Sequence, residues 1–390
     1  MTPYVGNSAN YPTSVSQPDN SDLVNPAAAT LNTPTQGALD RTAYLHLRAA
    51  TLPATSWFPQ VSPASSCDNA AWNPTAGTWW TLGGGNADLV KSSLDYGKSW
   101  TSIAIGLDAL TVYALDFDTA GNAVVTNTGS RTLYNWTAST STWSHDTLAL
   151  LGTVNKPLVK YDSVNAVWIC FYNDTTTAMR AASSTDRIAW TDRSGQLPAA
   201  FASAGTFIAH MGVGNGRVVV ASKLAGTTIT MATAATSALG SAWTSASIVA
   251  ASLTTVTDCS NPIYSSEDGV WLISLYGQIG AANATEVWKS ADGGQTWTRT
   301  VTLSSSGTRI SWLANIGHLW AGLTVDGFIV YSLDVGVTWF PAGIKAATPS
   351  ATNLSLWAGG GGLLVVDYGG SGPNTRASIR LSNQGAVALT

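Results

Sequence analysis

The chain has 390 residues, enough for one large core with a small appendage. Charged residues are 10% of it, against roughly 25% in an average soluble protein, and the net charge is -4. Its 18 Lys and Arg form no basic run, and no stretch of about 18 apolar residues occurs, which argues against a nucleic-acid footprint and a membrane-spanning helix.

The first 60 residues differ from the rest. Residues 1–32 are rich in Pro, Asn, Ser and Ala and read as an extended arm. Thr33-Pro34-Thr35-Gln36 then supplies an N-cap, a Pro at the first helical position and a Gln where a capping box places one. Leu39, Ala43 and Leu47, with Tyr44 beside them, predict one short helix that runs to about Ala50 and stops before Pro53. A single amphipathic helix cannot bury its own stripe, so these four residues are the expected partner-binding face of the arm.

From about residue 61 to 390 the chain repeats. Three segments share the spacing Ser-x-Asp-x-Gly-x-(Ser/Thr)-Trp: Ser93, Asp95, Gly97 and Trp100; Ser290, Asp292, Gly294 and Trp297; Ser332, Asp334, Gly336 and Trp339. A short carboxylate can accept turn N–H groups, Gly frees the backbone, and Trp anchors the strand that follows. Worn copies add Trp190, preceded by Ser183 and a displaced Asp186, then Trp243, preceded by Thr236 and Gly240, and Trp143 after Thr142. The Trp series steps by 42 to 54 residues, a period typical of four-stranded propeller blades. Gly/Asn turns followed by apolar strands form a second series upstream of the Trp residues, ending with Gly359 to Gly362 before Leu363. Its last repeat lacks the Trp. Together the two series predict an all-β fold, a seven-bladed β-propeller over 61–390, preceded by the extended N-terminal arm and one short α-helix over 1–60. The Ser-Asp-Gly-Trp segments resemble the Asp-box (BNR) repeat of sialidase-like propellers. That motif is structural.

The same resemblance implies sialidase chemistry: an Arg triad, a Tyr nucleophile activated by Glu, and an Asp acid/base. The chain departs from that pattern. It contains two Glu, Glu267 in a turn and Glu286 on an outer strand, and it lacks the Arg-Ile-Pro signature, with Arg131 and Arg309 as distant echoes. Asp116 to Asn122 looks superficially like a calcium loop but lacks a later bidentate Glu and occupies a repeat turn, so a hairpin is expected. His46, His145, His210 and His318 show no metal-ligand spacing. Cys67, Cys170 and Cys259 read as small buried strand residues, with no disulfide framework or zinc site implied. The expectation is therefore no catalytic residue, no cofactor and no metal. Of the 17 Trp, those closing turns and those on second strands (Trp79, Trp168, Trp271, Trp320) are assigned to blade packing. Trp57-Phe58, Trp72, Trp136, Trp312 and Trp357 are where a sugar platform would be sought.

Pro12-Thr-Ser-Val, Pro18-Asp-Asn-Ser-Asp22, Asn25-Pro-Ala-Ala-Ala and Ala38-Leu-Asp-Arg-Thr-Ala-Tyr44-Leu resemble the adaptor segments that open many bacteriophage tail and virion proteins. The resemblance covers about 35 residues and implies attachment to a particle. The leading expectation is a non-enzymatic virion protein of a tailed phage or phage-like particle, such as a tail fibre, baseplate or decoration protein. It would assemble in the host cytoplasm. Expected partners are other virion proteins, sister copies in a homo-oligomer through the arm, and a host-surface glycan, without nucleic acid or membrane insertion. The alternatives are a secreted lectin-like propeller, whose export would need a route other than a visible signal peptide, and a divergent glycosidase.

Overall fold

Runs of β-branched and aromatic residues, broken by Asn, Asp and Gly, fold here into antiparallel strands joined by short hairpins. The chain divides into two units, Met1–Pro53 and Ala54–Thr390. The computed structural model describes residues 70–82, 89–94, 99–104, 111–128, 132–147, 155–173, 178–202, 210–304, 309–345, 354–359, 362–367 and 377–380, all in the second unit. The expected arm and its helix, with Leu39, Ala43, Tyr44 and Leu47, lie outside the described residues.

The first sheet comprises β1 (Ala70–Asn73), β2 (Thr78–Leu82), β3 (Leu89–Ser93) and β4 (Thr101–Ala104). The second holds β5 (Thr111–Phe117), β6 (Ala123–Thr128), β7 (Thr132–Thr137) and β8 (Thr142–Thr147). In the third are β9 (Asn155–Asp162), β10 (Val167–Asn173), β11 (Met179–Ser184) and β12 (Thr191–Asp192). The fourth is β13 (His210–Gly214), β14 (Arg217–Ala225), β15 (Thr228–Ala235) and β16 (Thr244–Val249). In the fifth, β17 (Thr255–Cys259) and β18 (Ile263–Ser265) both pair with β19 (Val270–Ile279), followed by β20 (Ala282–Ser290) and β21 (Thr298–Leu303). The sixth holds β22 (Ile310–Ile316), β23 (Leu319–Thr324), β24 (Phe328–Ser332) and β25 (Phe340–Lys345). The last contains β26 (Leu354–Gly359), β27 (Gly362–Asp367) and β28 (Ala377–Arg380).

The leading strands of successive sheets touch one another, and β26 touches both β22 and β1. This closes a ring, and the fold is an all-β propeller. The repeat count predicts seven full blades; among the described residues six sheets have four or more strands and the last has three. The residues that follow β28 lie outside the described residues.

Apolar packing lies between sheets. Trp79, Trp168, Trp271 and Trp320 are fully buried on second strands, as their repeat positions predict. Each leans on the preceding sheet: Trp168 joins Ala114, Val124 and Leu133, Trp271 joins Val219 and Ala221, and Trp320 joins Leu272 and Val287. Trp79 packs with Trp357 across the closure between the last sheet and the first. Replacing a Trp in such a position by Ala costs about 3–5 kcal/mol.

The Ser-Asp-Gly-Trp turns join the third and fourth strands. In the copy at Ser290, its hydroxyl donates to Asp292 Oδ1 at 2.8 Å and accepts the Gly294 N–H at 2.9 Å. Asp292 Oδ1 accepts the N–H groups of Gln295 (3.0 Å) and Thr296 (2.9 Å), and Trp297 Nε1 donates to Gly294 O at 3.0 Å. The copy at Ser332 repeats this with Asp334, Gly336, Thr338 and Trp339. In the first copy Ser93 is buried and ends β3, and Trp100 precedes β4, while Asp95 and Gly97 lie outside the described residues.

One worn copy needs correction. Its serine is Ser184, which donates to Asp186 at 2.9 Å, so the aspartate keeps its spacing and a residue is missing after it. Arg187 adopts φ 72°, near that of Gly294 (85°) and Gly336 (79°), and its carbonyl accepts Trp190 Nε1 at 2.8 Å. Trp143 and Trp243 Nε1 have no protein hydrogen bond, so their turns have lost the network along with its residues.

These turns dock backwards. Gly293 O accepts Thr233 Oγ1 (2.7 Å) and Arg217 Nε (3.1 Å) from the fourth sheet, and Gly336 O accepts Thr300 Oγ1 (2.8 Å) from the fifth. A Cβ at Gly294 would lie 2.7 Å from Val219 Cγ2, on top of its positive φ. Gly280 has a similar φ, 60°, but open space around it. Gly280→Ala should therefore cost about 1–2 kcal/mol of strain, and Gly294→Ala roughly 2–4 kcal/mol, since overpacking adds to strain. Denaturant unfolding midpoints of the two variants check this; equal losses would refute the docking argument.

Burial acts to raise the Asp292 carboxyl, but the Thr296 hydroxyl and N–H, Ser290 and the Gln295 N–H outweigh it and hold the pKa at about 2. Burial acts to raise Asp334 as well, but the Thr338 hydroxyl and N–H and the Ser332 hydroxyl outweigh it and lower it, and Asp186 is lowered chiefly by the Ala189 and Ile188 N–H groups. A depressed folded-state pKa stabilises above the ordinary value of 3.8 and that contribution is lost as pH falls toward about 2. Wild-type melting temperature should thus drop more steeply across this window than that of Asp292→Asn, and parallel curves would contradict the sign.

Candidate functional site

The leading strands β1, β5, β9, β13, β17–β18, β22 and β26 surround the ring's axis. On them, partly buried residues break the apolar runs. Asp116 on β5 accepts the Tyr161 N–H at 2.8 Å through Oδ2, and its Oδ1 lies 3.7 Å from Lys160 Nζ on β9. The same ammonium sits 5.5 Å from the ring centroid of Trp357 on β26. The sheets of β9 and β26 are not neighbours, so Lys160 reaches across the axis. Trp357 in turn meets Trp312 of β22, centroids 5.4 Å apart and tilted 50°. Trp72 on β1 packs in the cluster that Trp357 joins, edge-on to Trp79 at 5.5 Å.

Burial pushes the Asp116 carboxyl up, opposed by the Lys160 charge and by N–H groups of Tyr161 and Phe117. The pair is about one-quarter exposed on Lys160 and one-fifth on Asp116 (25% and 20%). An ammonium beside an indole face and a carboxylate, next to a tilted indole pair, can grip a flat or polar ring by cation–π, stacking and hydrogen bonding.

Trp72, Trp312 and Trp357, sought as a platform from sequence, are thus placed on axis-facing strands. Trp136 is not: it packs between Trp80 (5.5 Å) and Trp143 (5.2 Å) in the core of the first two sheets. Trp57 and Phe58 lie outside the described residues. Sequence reading did not pair Asp116 with Lys160: Asp116 is the one charge in β5, but β9 also carries Lys156 and Asp162, so Lys160 does not stand out there. The calcium-like segment is a hairpin in which Asp118 accepts the N–H groups of Ala120 (2.9 Å) and Asn122 (2.8 Å).

Several other acids among the described residues hold loops or join sheets. Glu286 on β20 is fully buried and accepts N–H groups of Ala251 (3.1 Å), Ser252 (2.5 Å) and Leu253 (3.2 Å) and Trp288 Nε1 (3.1 Å), with Arg299 at 3.6 Å. Asp268 ties two sheets by accepting Trp320 Nε1 (2.9 Å) and meeting His318 Nδ1 (2.7 Å), with Glu267 at 3.5 Å from His318. Arg309 lies 3.9 Å from Asp326. His210, 48 residues before Asp258, converges with the adjacent Asp258 and Cys259 between the fourth and fifth sheets.

These features define a β-propeller with an aromatic and ion-paired axis. Similar folds are found in YCF48 from Cyanidioschyzon merolae (TM-score 0.56, 13% identity, covering 83% of this chain and 98% of that one) and virginiamycin B lyase from Staphylococcus aureus (0.57, 11%, 83% and 97%). The Cps50 (Swd1) β-propeller domain of Myceliophteria thermophila is another (0.55, 9%, 83% and 99%). At these identities the likeness is one of fold alone, and it spans an enzyme as well as other proteins. The chain matches no protein-family model and no curated protein.

Lys160→Met removes the cation and leaves Asp116 buried, so stability should fall by about 1–3 kcal/mol, less than for a fully enclosed pair. Adding Asp116→Asn should restore part of that loss in denaturant unfolding. A double variant no more stable than the single one would show that the two groups are not coupled.

Proposed function

We propose that the chain is a non-enzymatic virion protein of a tailed phage or phage-like particle, with the propeller displayed and residues 1–60 attaching it. The three-stranded sheet is, in this reading, a seventh blade, and the Ser-Asp-Gly-Trp turns are Asp boxes serving as structure. The observation that carries the non-enzymatic part is the use of acids. Asp186, Asp292, Asp334 and Glu286 hold turns and loops, and the axial Asp116 faces a lysine. Retaining or inverting glycosidases need two carboxyl groups flanking a bond. Attachment is supported by the adaptor-like segment between Pro12 and Tyr44, whose ordering on a partner would supply affinity and whose symmetric copies would add avidity.

A second reading is favoured by the Trp312–Trp357 pair beside Lys160: a glycan-binding propeller, either free or as the particle's displayed head. A glycan array with the purified full chain addresses it, and binding that survives Trp312→Ala and Trp357→Ala would exclude the axis as the platform.

Removing residues 1–50 should leave a folded, monomeric propeller that no longer co-sediments with particles. Incorporation of the truncated chain at wild-type levels would overturn the attachment mechanism.

A further inference from the structure

His210 opens β13, the leading strand of the fourth sheet, while Asp258 and Cys259 end β17 in the fifth. Their ligand atoms all lie within 4.8 Å of one another. Two features of the chain build this meeting. Between Cys259 and Ile263 the strand bulges: Cys259 is opposite Leu275 and Ile263 opposite Leu272, so one strand has an extra residue. Such bulges re-aim side chains. The bulge is fixed by Ser260, whose N–H donates to Ser274 O (2.8 Å) and whose hydroxyl accepts the Ser274 N–H (3.0 Å). Gly212, two residues after His210, then lets the Pro262 carbonyl approach so closely that a Cβ would lie 1.9 Å from its oxygen. His210 is thereby held against Asp258 and Cys259.

The hydrogen bonding leaves a lone pair inside the cluster. His210 Nδ1 meets Asn261 Oδ1 at 3.1 Å. In the neutral tautomer that donates Nδ1–H to that oxygen, the Nε2 lone pair is available to a metal. Nε2 is buried without a hydrogen-bond partner and faces Asp258 Oδ1 at 3.4 Å. Asp258 Oδ1, which also accepts the Cys259 N–H at 2.9 Å, the imidazole Nε2 and the Cys259 sulfur thus converge as oxygen, nitrogen and sulfur donors that one cation could share.

We propose that His210, Asp258 and Cys259 form a binding site for a borderline-soft divalent cation of the zinc type, with Asn261 orienting the imidazole. Nitrogen, oxygen and sulfur donors together select such ions over magnesium or calcium. Tetrahedral zinc spaces its donors by about 3.3–3.8 Å, a small contraction of the cluster. The thiol proton leaves to solvent on binding, and thiolate plus carboxylate balance the dication, which suits a site where Cys259 is buried. Asp258, with 41% of its side chain exposed, gives the route of entry and leaves a fourth position for water. An Asn holding the second imidazole nitrogen is the kind of support that metal-bound histidines have.

The test is titration of chelator-treated full-length protein with Co2+, followed by Zn2+. About one equivalent should bind, with a thiolate-to-cobalt band in the near ultraviolet that Zn2+ removes. Cys259→Ser should abolish the band, His210→Gln should abolish tight binding, and Asn261→Ala should weaken it about 10–100-fold. Since Cys259 is buried, Asp258→Asn at the exposed edge serves as a variant that keeps the packing and should also weaken binding. Absence of saturable binding in the wild type would overturn the proposal, as would an undiminished band in both Cys259→Ser and His210→Gln.

Discussion

Four of the seven sheets press on the sheet before them through a buried second-strand tryptophan, and the rest of the architecture follows from that contact. A four-stranded antiparallel sheet with apolar residues on both faces is unstable alone, because each face needs a cover. Trp79, Trp168, Trp271 and Trp320 provide it, each leaning on the sheet before it. The turns reinforce the same contact, since Gly293 and Gly336 offer their carbonyls to hydroxyls on the preceding sheet. The carboxylates Asp292 and Asp334 act inside the turn and keep its backbone in the shape that this docking needs.

The axis reflects the opposite constraint. Leading strands cannot be covered by further sheets, so their side chains meet one another or water. Here the ring brings a lysine, a carboxylate and three indoles toward the centre. The Lys160–Trp357 contact links sheets that share no edge, and it gives the centre of the ring a specific chemical character. Between the fourth and fifth sheets, a bulge and a missing Cβ bring a nitrogen, an oxygen and a sulfur donor together.

Much of the fold was legible because it repeats. The Trp spacing and the turn glycines announce four-stranded units directly, and buried Trp168 or Trp320 could be assigned from position alone. The count was less secure where the pattern decays, since β28 is followed by no Trp corner. Ser184 was misread as Ser183 because a deletion after Asp186 is invisible until Arg187 is seen to take a left-handed conformation. The clusters at the axis were not legible for a different reason. Asp116, Lys160 and Trp357, or His210 and Cys259, are joined by ring closure and sheet packing, and no local spacing encodes which leading-strand positions face each other. The arm's residues carry their meaning in sequence resemblance and lie outside the described structure.

The backward docking of the turns also gives the ring a direction. Arg187 reaches the Trp136 carbonyl of the sheet before it, Gly293 reaches Thr233, and Gly336 reaches Thr300, always toward the part of the chain made earlier. During synthesis each sheet would therefore wait, partly uncovered, until its successor emerges from the ribosome and latches onto it. Ring closure would come last, when β26 meets β1, making maturation of the wheel a vectorial process timed by translation.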